Sequence, residues 1–130
     1  AEADNEFKGS PSQEAYDCVK EVRDRAGIET LDFGEYSDQE SFRQFVRNER
    51  ARELCFESLR KYDLIRWGIF VESMKDYLTD TQAPEWPTGN LTATQAAQII
   101  GQNVQARHVL LPIPSIELGV NTSLTQNKLW

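Results

Sequence analysis

The sequence predicts an all-α fold of helical hairpins followed by an irregular C-terminal tail. Three observations carry this reading. Side-chain capping signatures mark three helix starts, and apolar residues recur at helical spacing. The prolines are confined to positions 11, 84, 87, 112 and 114, leaving long uninterrupted runs between them.

The first start is Ser10-Pro11-Ser12-Gln13, after which Ala15, Cys18, Val19, Val22 and Ala26 form one amphipathic stripe. Gly27 supplies a left-handed stop, so the first helix is expected over 11–26. The second start is Ser37-Asp38-Gln39-Glu40. From there to Arg66 no Gly or Pro intervenes, and Phe42, Phe45, Val46, Glu49, Glu53 and Phe56 follow helical spacing on one face. A straight helix of that length would exceed about 40 Å, so a bend or break is expected near 58–63. Gly68 permits a turn before a shorter amphipathic segment at 69–78, with Phe70, Val71, Met74 and Leu78 on one side. Residues 79–91, with Pro84, Pro87, Gly89 and Asn90, read as a loop. The third start, Thr92-Ala93-Thr94-Gln95, opens a helix over 93–105 that Gly101 weakens. From 107 onward Val109-Leu110-Leu111 is extended and Pro112-Ile113-Pro114 opposes helix, so little regular structure is expected to follow.

The 130 residues suffice for one domain. With 21 acidic against 14 basic residues the net charge is -7, which repels a phosphate backbone and argues against nucleic acid as a partner. The mean hydropathy is -0.58, and no apolar run approaches the roughly 18 residues that span a bilayer. The first residue is Ala1 and the acidic segment after it lacks the features of a secretory signal, so the chain is read as part of something longer. Cys18 and Cys55 stand without a Cys-x-x-Cys and with a single His, which excludes a zinc or thioredoxin-type motif. They are expected as small buried residues on helix faces; a bridge would need their Cα atoms within about 7 Å.

The densest chemistry runs from Arg47 to Trp67. Opposite charges recur three or four apart: Glu49 with Arg52, Arg50 with Glu53, Glu57 with Arg60 and Lys61, Arg60 with Asp63, and Asp63 with Arg66. Exposed pairs of this kind stabilise a helix by about 0.2–0.5 kcal/mol each. Glu49 and Glu53 are different, because they share the face of Phe42, Phe45 and Phe56, where an ionised carboxylate must be met by Arg donors. A partly buried Glu/Arg network fixing helix against helix is expected. A catalytic carboxylate pair would need divergent pKa values, whereas the five arginines between 47 and 66 hold both groups ionised. The lone His108 has no adjacent nucleophile or acid and is assigned a solvated or capping place.

The same stretch, Val46-x-x-Glu49-Arg50-x-x-Glu53-Leu54-x-Phe56-Glu57-x-x-Arg60-x-x-Asp63-Leu64-x-Arg66-Trp67, resembles the C-terminal hallmark of the SusD/RagB family. Val22-Arg23-x-Arg25-Ala26-Gly27 is similar to the end of the family's preceding helix. Leu111-Pro112-Ile113-Pro114-x-x-Glu117-Leu118-x-x-Asn121-x-x-Leu124-x-Gln126-Asn127-x-x-Trp130 is similar to its closing segment. The three pieces stand in the family's order and span nearly the whole chain. The family pattern has Gly where this chain has Ser58, Pro where it has Thr122, and Pro-Gly where it has Lys128-Leu129.

The resemblance implies a tetratricopeptide-like α-α superhelix and makes 1–130 the C-terminal part of a protein several hundred residues long. It implies a non-enzymatic lipoprotein without cofactor or metal, on the outer face of the outer membrane in Bacteroidetes. Its lipid anchor would lie outside this chain. Such a protein binds oligosaccharides or other nutrients and acts as a lid on a SusC-type TonB-dependent porin. Glu49, Arg50, Glu53, Phe56, Arg60, Asp63 and Trp67, with Pro112, Pro114 and Asn127, then read as architecture. Sugar binding needs an aromatic face with a few oriented polar groups. Trp86, set in Gln82-Ala83-Pro84-Glu85-Trp86-Pro87-Thr88-Gly89-Asn90, is the candidate, with Tyr77 one segment before it; alternatively Trp86 folds back over the helices. The competing function is a helical interaction module that docks on a partner and ignores sugars.

Overall fold

The computed structural model describes residues 1–29, 32–84 and 91–130, with the Leu91 side chain left aside. Among these residues the regular elements are all helical: α1 (Glu2–Lys8), α2 (Gln13–Arg25), α3 (Gln39–Glu53), α4 (Arg60–Arg66), α5 (Phe70–Asp80), α6 (Leu91–Asn103) and α7 (Ser115–Val120). A 3-10 turn at Ala106–Val109 lies between α6 and α7. They form two compact units, Ala1–Arg60 and Lys61–Trp130.

In the first unit, α2 starts two residues inside the expected position, because Ser12 and not Ser10 is the cap, its hydroxyl accepting from the Ala15 amide at 3.4 Å. The Ser12 hydroxyl also donates to Asp4 at 2.6 Å and so ties α1 to the start of α2. The helix ends as expected: Gly27, at φ +68°, donates to the Asp24 carbonyl, and Ile28 donates to that of Arg23. Asp38 caps α3, its carboxylate accepting from the Glu40 and Ser41 amides at 3.1 and 3.0 Å. The Ser41 hydroxyl and then its amide hold the Asp38 carboxyl below its ordinary value.

Ala15, Tyr16 and Val19 of α2 bury against Phe42 and Phe45 of α3, with Tyr36 and Val46 packed alongside. Tyr16 and Phe42 meet at 4.9 Å between ring centroids. The α1 helix, which the apolar pattern does not announce, packs on α3 through polar groups. Buried Asn5 donates to the Gln39 carbonyl at 2.9 Å, and the Gln39 side chain donates back to the Asn5 carbonyl at 3.3 Å. Glu6 accepts from Arg43 at 2.6 and 2.7 Å, and that pairing holds the Glu6 carboxyl below its ordinary value.

The expected break of the long run falls earlier, after Glu53, because Phe56 and Ser58 adopt φ of +67° and +60°, which no right-handed helix admits. Two corrections follow. Phe56 leaves the apolar face and is 100% exposed. Cys18 and Cys55 are free and exposed, not buried. Tyr16 takes the buried place beside Ala15 and Val19, and Cys55 lies beyond the end of α3.

In the second unit, Leu64 and Asp63 of α4, Phe70 of α5 and Ala97 of α6 are buried. The Lys61 ammonium lies 5.7 Å from the Phe70 ring centroid. The α5 and α6 helices pack together at Gly101: a Cβ there would stand 2.6 Å from Leu78 Cγ and 3.3 Å from the Leu78 backbone nitrogen. The glycine expected to weaken α6 is what lets α5 approach. The tail is more ordered than expected. It carries α7 and the 3-10 turn, and Gln126 brackets Ile113 from both sides, accepting from its amide at 2.8 Å and donating to its carbonyl at 3.0 Å.

Candidate functional site

In the first unit Glu49 of α3 is buried and accepts from Arg23 of α2 at 3.0 Å, between helices, and from Arg52 one turn on at 3.3 Å. Arg23 is fully engaged, since its other donors reach the Glu29 carbonyl at 3.1 and 2.9 Å and its guanidinium lies 5.7 Å from the Phe45 ring centroid. Arg25 pairs with Glu53 at the more exposed end of the same seam. The expected Glu/Arg network thus exists, with one amendment: Glu53 is exposed, because α3 ends there and no Phe56 covers it. Spacing within 47–67 does not disclose that Arg23 and Arg25 supply the cross-helix donors.

Beside this network lies a cleft of about 830 Å³. It is lined by α3, through Ser41, Gln44, Phe45 and Asn48, and by Glu29, Asp32, Glu35 and Tyr36 from between α2 and α3, with Arg23 and Arg52 also in the lining. The Tyr36 ring stacks on Phe45 at 4.5 Å and 19°. Its backbone is pinned by the Tyr16 hydroxyl, which accepts from the Tyr36 amide at 3.0 Å and donates to its carbonyl at 2.7 Å. Sequence reasoning passes over Tyr36 because it sits outside every helical stripe.

In the second unit Tyr77 lies half-buried on α5. Trp86, the other candidate sugar contact, falls outside the described residues. His108 caps as expected, its Nδ1 accepting from the Gln105 amide at 2.9 Å. Trp130 closes the chain: its indole N–H donates to the Arg107 and Leu110 carbonyls, each at 3.0 Å, and the Arg107 guanidinium lies 4.9 Å from its ring centroid. Among the described residues no group of three or more His, Cys, Asp or Glu side chains is placed to hold a metal ion. No helix among them is long and apolar enough to cross a membrane.

A family model described as "SusD family" matches residues 1–130. The chain belongs to the SusD family. It is 34% identical over 128 residues to a SusD-like protein, P25, of Formosa agariphila, a match covering 98% of this chain and 21% of that protein. The crystal structure of a SusD homolog from Bacteroides thetaiotaomicron is similar with a TM-score of 0.82 and 32% identity, over 99% of this chain and 24% of that one. The chain therefore spans about a fifth to a quarter of the length of these two relatives. The all-α, tetratricopeptide-like class expected from the sequence is the class of this SusD structure.

The SusD hallmark residues fall into place as follows. Arg50 is half-buried on α3, beside Glu49 and Glu53 along a shallow groove of about 260 Å³. Arg60 donates to the Arg47 carbonyl at 3.2 Å and fastens the 54–59 connection to α3. Asp63 is buried and accepts from Arg66 at 3.1 Å, while the Arg66 guanidinium lies 5.2 Å from the centroid of half-buried Trp67. Pro114 precedes α7, Pro112 is exposed, and Asn127 donates to the Leu111 carbonyl at 2.7 Å. Two of the departures from the family pattern, Ser58 and Leu129, stand at φ +60° and +75°, where the pattern has Gly.

Proposed function

We propose that residues 1–130 are the C-terminal part of a cell-surface SusD-type lipoprotein that captures oligosaccharides and delivers them to a SusC-type TonB-dependent porin of the outer membrane. The observation that carries the reading is the family match across the whole chain. The net charge of -7 agrees with a partner other than nucleic acid, and membrane attachment is through a lipid anchor outside these residues. The protein binds and does not catalyse. Trp86 offers the flat apolar face on which a sugar ring stacks, with Tyr77 as a second contact; the charged hallmark residues hold the helices and do not touch ligand.

Tryptophan fluorescence, titrated with a panel of oligosaccharides, tests this. The expected result is a saturable change with at least one of them, lost in Trp86→Ala and weakened in Tyr77→Ala. A docking module is the second reading, favoured by the exposed Leu111, Ile116 and Val120 of the tail. It predicts no response to any sugar and retention of the porin on a column carrying this chain.

A further inference from the structure

We infer that the cleft between α3 and the 32–36 segment is a separate subsite for one neutral saccharide ring, an inference that rests on the glycan-binding reading above. A volume of about 830 Å³ is in the range of pockets that enclose small organic ligands. Its aromatic wall is already organised. Tyr36 is fixed through both its backbone groups by the Tyr16 hydroxyl, and its ring is backed by Phe45 at 4.5 Å. A ligand that stacks there orders nothing on arrival, which removes a cost that mobile aromatic contacts carry.

The opposite requirement, polar groups for hydroxyls, is met by one stripe of α3. Gln44 and Asn48 stand four apart and share a face, while the Ser41 hydroxyl on the same stripe is committed to Asp38. The Gln44 amide donates to the Asn48 side-chain carbonyl at 3.3 Å, which leaves the Gln44 carbonyl as acceptor and the Asn48 amide as donor to a ligand. That polarised pair suits a vicinal diol, which offers one donor and one acceptor. Glu49 and Arg23, by contrast, are committed to each other and form the end of the cleft without serving it.

Charge then selects among sugars. Glu29, Asp32 and Glu35 line the cleft, where they accept from hydroxyls; with Glu49 they outnumber Arg23 and Arg52 in the lining, and that acidic excess disfavours uronate or sulfate groups. An apolar peptide finds little here, since Ile28 and Phe45 are the apolar aliphatic and phenyl surfaces of the lining.

Isothermal titration of the full chain with maltohexaose, laminarihexaose, xylohexaose and a sulfated carrageenan hexaose tests the subsite. Tyr36→Ala is expected to weaken the neutral ligand that binds by about tenfold, a usual loss for a central aromatic anchor. The double variant Gln44→Ala/Asn48→Ala, which touches no fully buried side chain, is expected to weaken it several-fold; it decides alone if circular dichroism shows Tyr36→Ala unfolded. Unchanged affinity in the cleft variants, with binding lost in Trp86→Ala, overturns the subsite and leaves the glycan reading intact. Carrageenan hexaose binding as tightly as the neutral sugars overturns it too. Absence of heat with every saccharide overturns both.

Discussion

At the scale of single residues, Glu49 and Glu53 look alike in the sequence and differ in the fold. Glu49 is 7% exposed and meets Arg23, itself largely covered, whereas Glu53 meets an Arg25 whose side chain is 68% exposed. Neutralising Glu49 leaves a guanidinium without its counter-charge in a covered site, so Glu49→Gln is expected to cost about 3 kcal/mol in urea unfolding. Glu53→Gln is expected to cost less than about 1 kcal/mol, as solvent screens the pair. Equal losses in the two variants would remove the distinction. Ser58 carries a second residue-scale prediction. A non-glycine residue at φ +60° is strained by roughly 1 kcal/mol, partly offset by the greater freedom of glycine in the unfolded chain. Ser58→Gly is therefore expected to raise stability by about 0.5 kcal/mol, read as a later urea midpoint at unchanged slope; an earlier midpoint would show that the serine side chain contributes something the backbone does not.

At the scale of elements, much was legible and the misses have physical causes. Capping chemistry and the Phe42, Phe45 and Val46 stripe locate α2 and the start of α3 within about two residues, because those signals are local. The α1 helix escapes the apolar pattern because its buried contact is Asn5, a polar residue matched to Gln39 from far along the chain. The break after Glu53 depends on two residues in left-handed conformation that carry no glycine to announce it. Gly101 shows propensity and packing in conflict. On helix propensity alone Gly101→Ala gains about 1 kcal/mol. The added Cβ, at 2.6 Å from Leu78, must instead push α5 from α6, and overpacking of this kind costs about 1–3 kcal/mol. The expected outcome is a lower melting temperature for Gly101→Ala by calorimetry, and a rise would mean that Leu78 yields freely.

At the scale of the whole molecule, the need of Glu49 for a partner was readable because a buried carboxylate demands a donor, and Arg23 meets it from another helix as that demand requires. The sugar candidates were less readable. Trp86 was singled out by composition and lies outside the described residues, while Tyr36, the aromatic that lines a formed cleft, bears no sequence signature. It becomes visible only once Tyr16 and Phe45 are brought to it by the packing of α2 on α3. The central claim is that this SusD-family chain takes part in capturing a glycan. A ligand that binds the folded state and not the unfolded one raises the melting temperature by mass action, with about 2.7 kcal/mol gained at a hundredfold excess over Kd. Calorimetric melting of the full chain with and without each oligosaccharide of the panel is the most direct measurement. A concentration-dependent rise in Tm with at least one oligosaccharide is the predicted result; a Tm unmoved by every one of them at millimolar concentration would contradict the account.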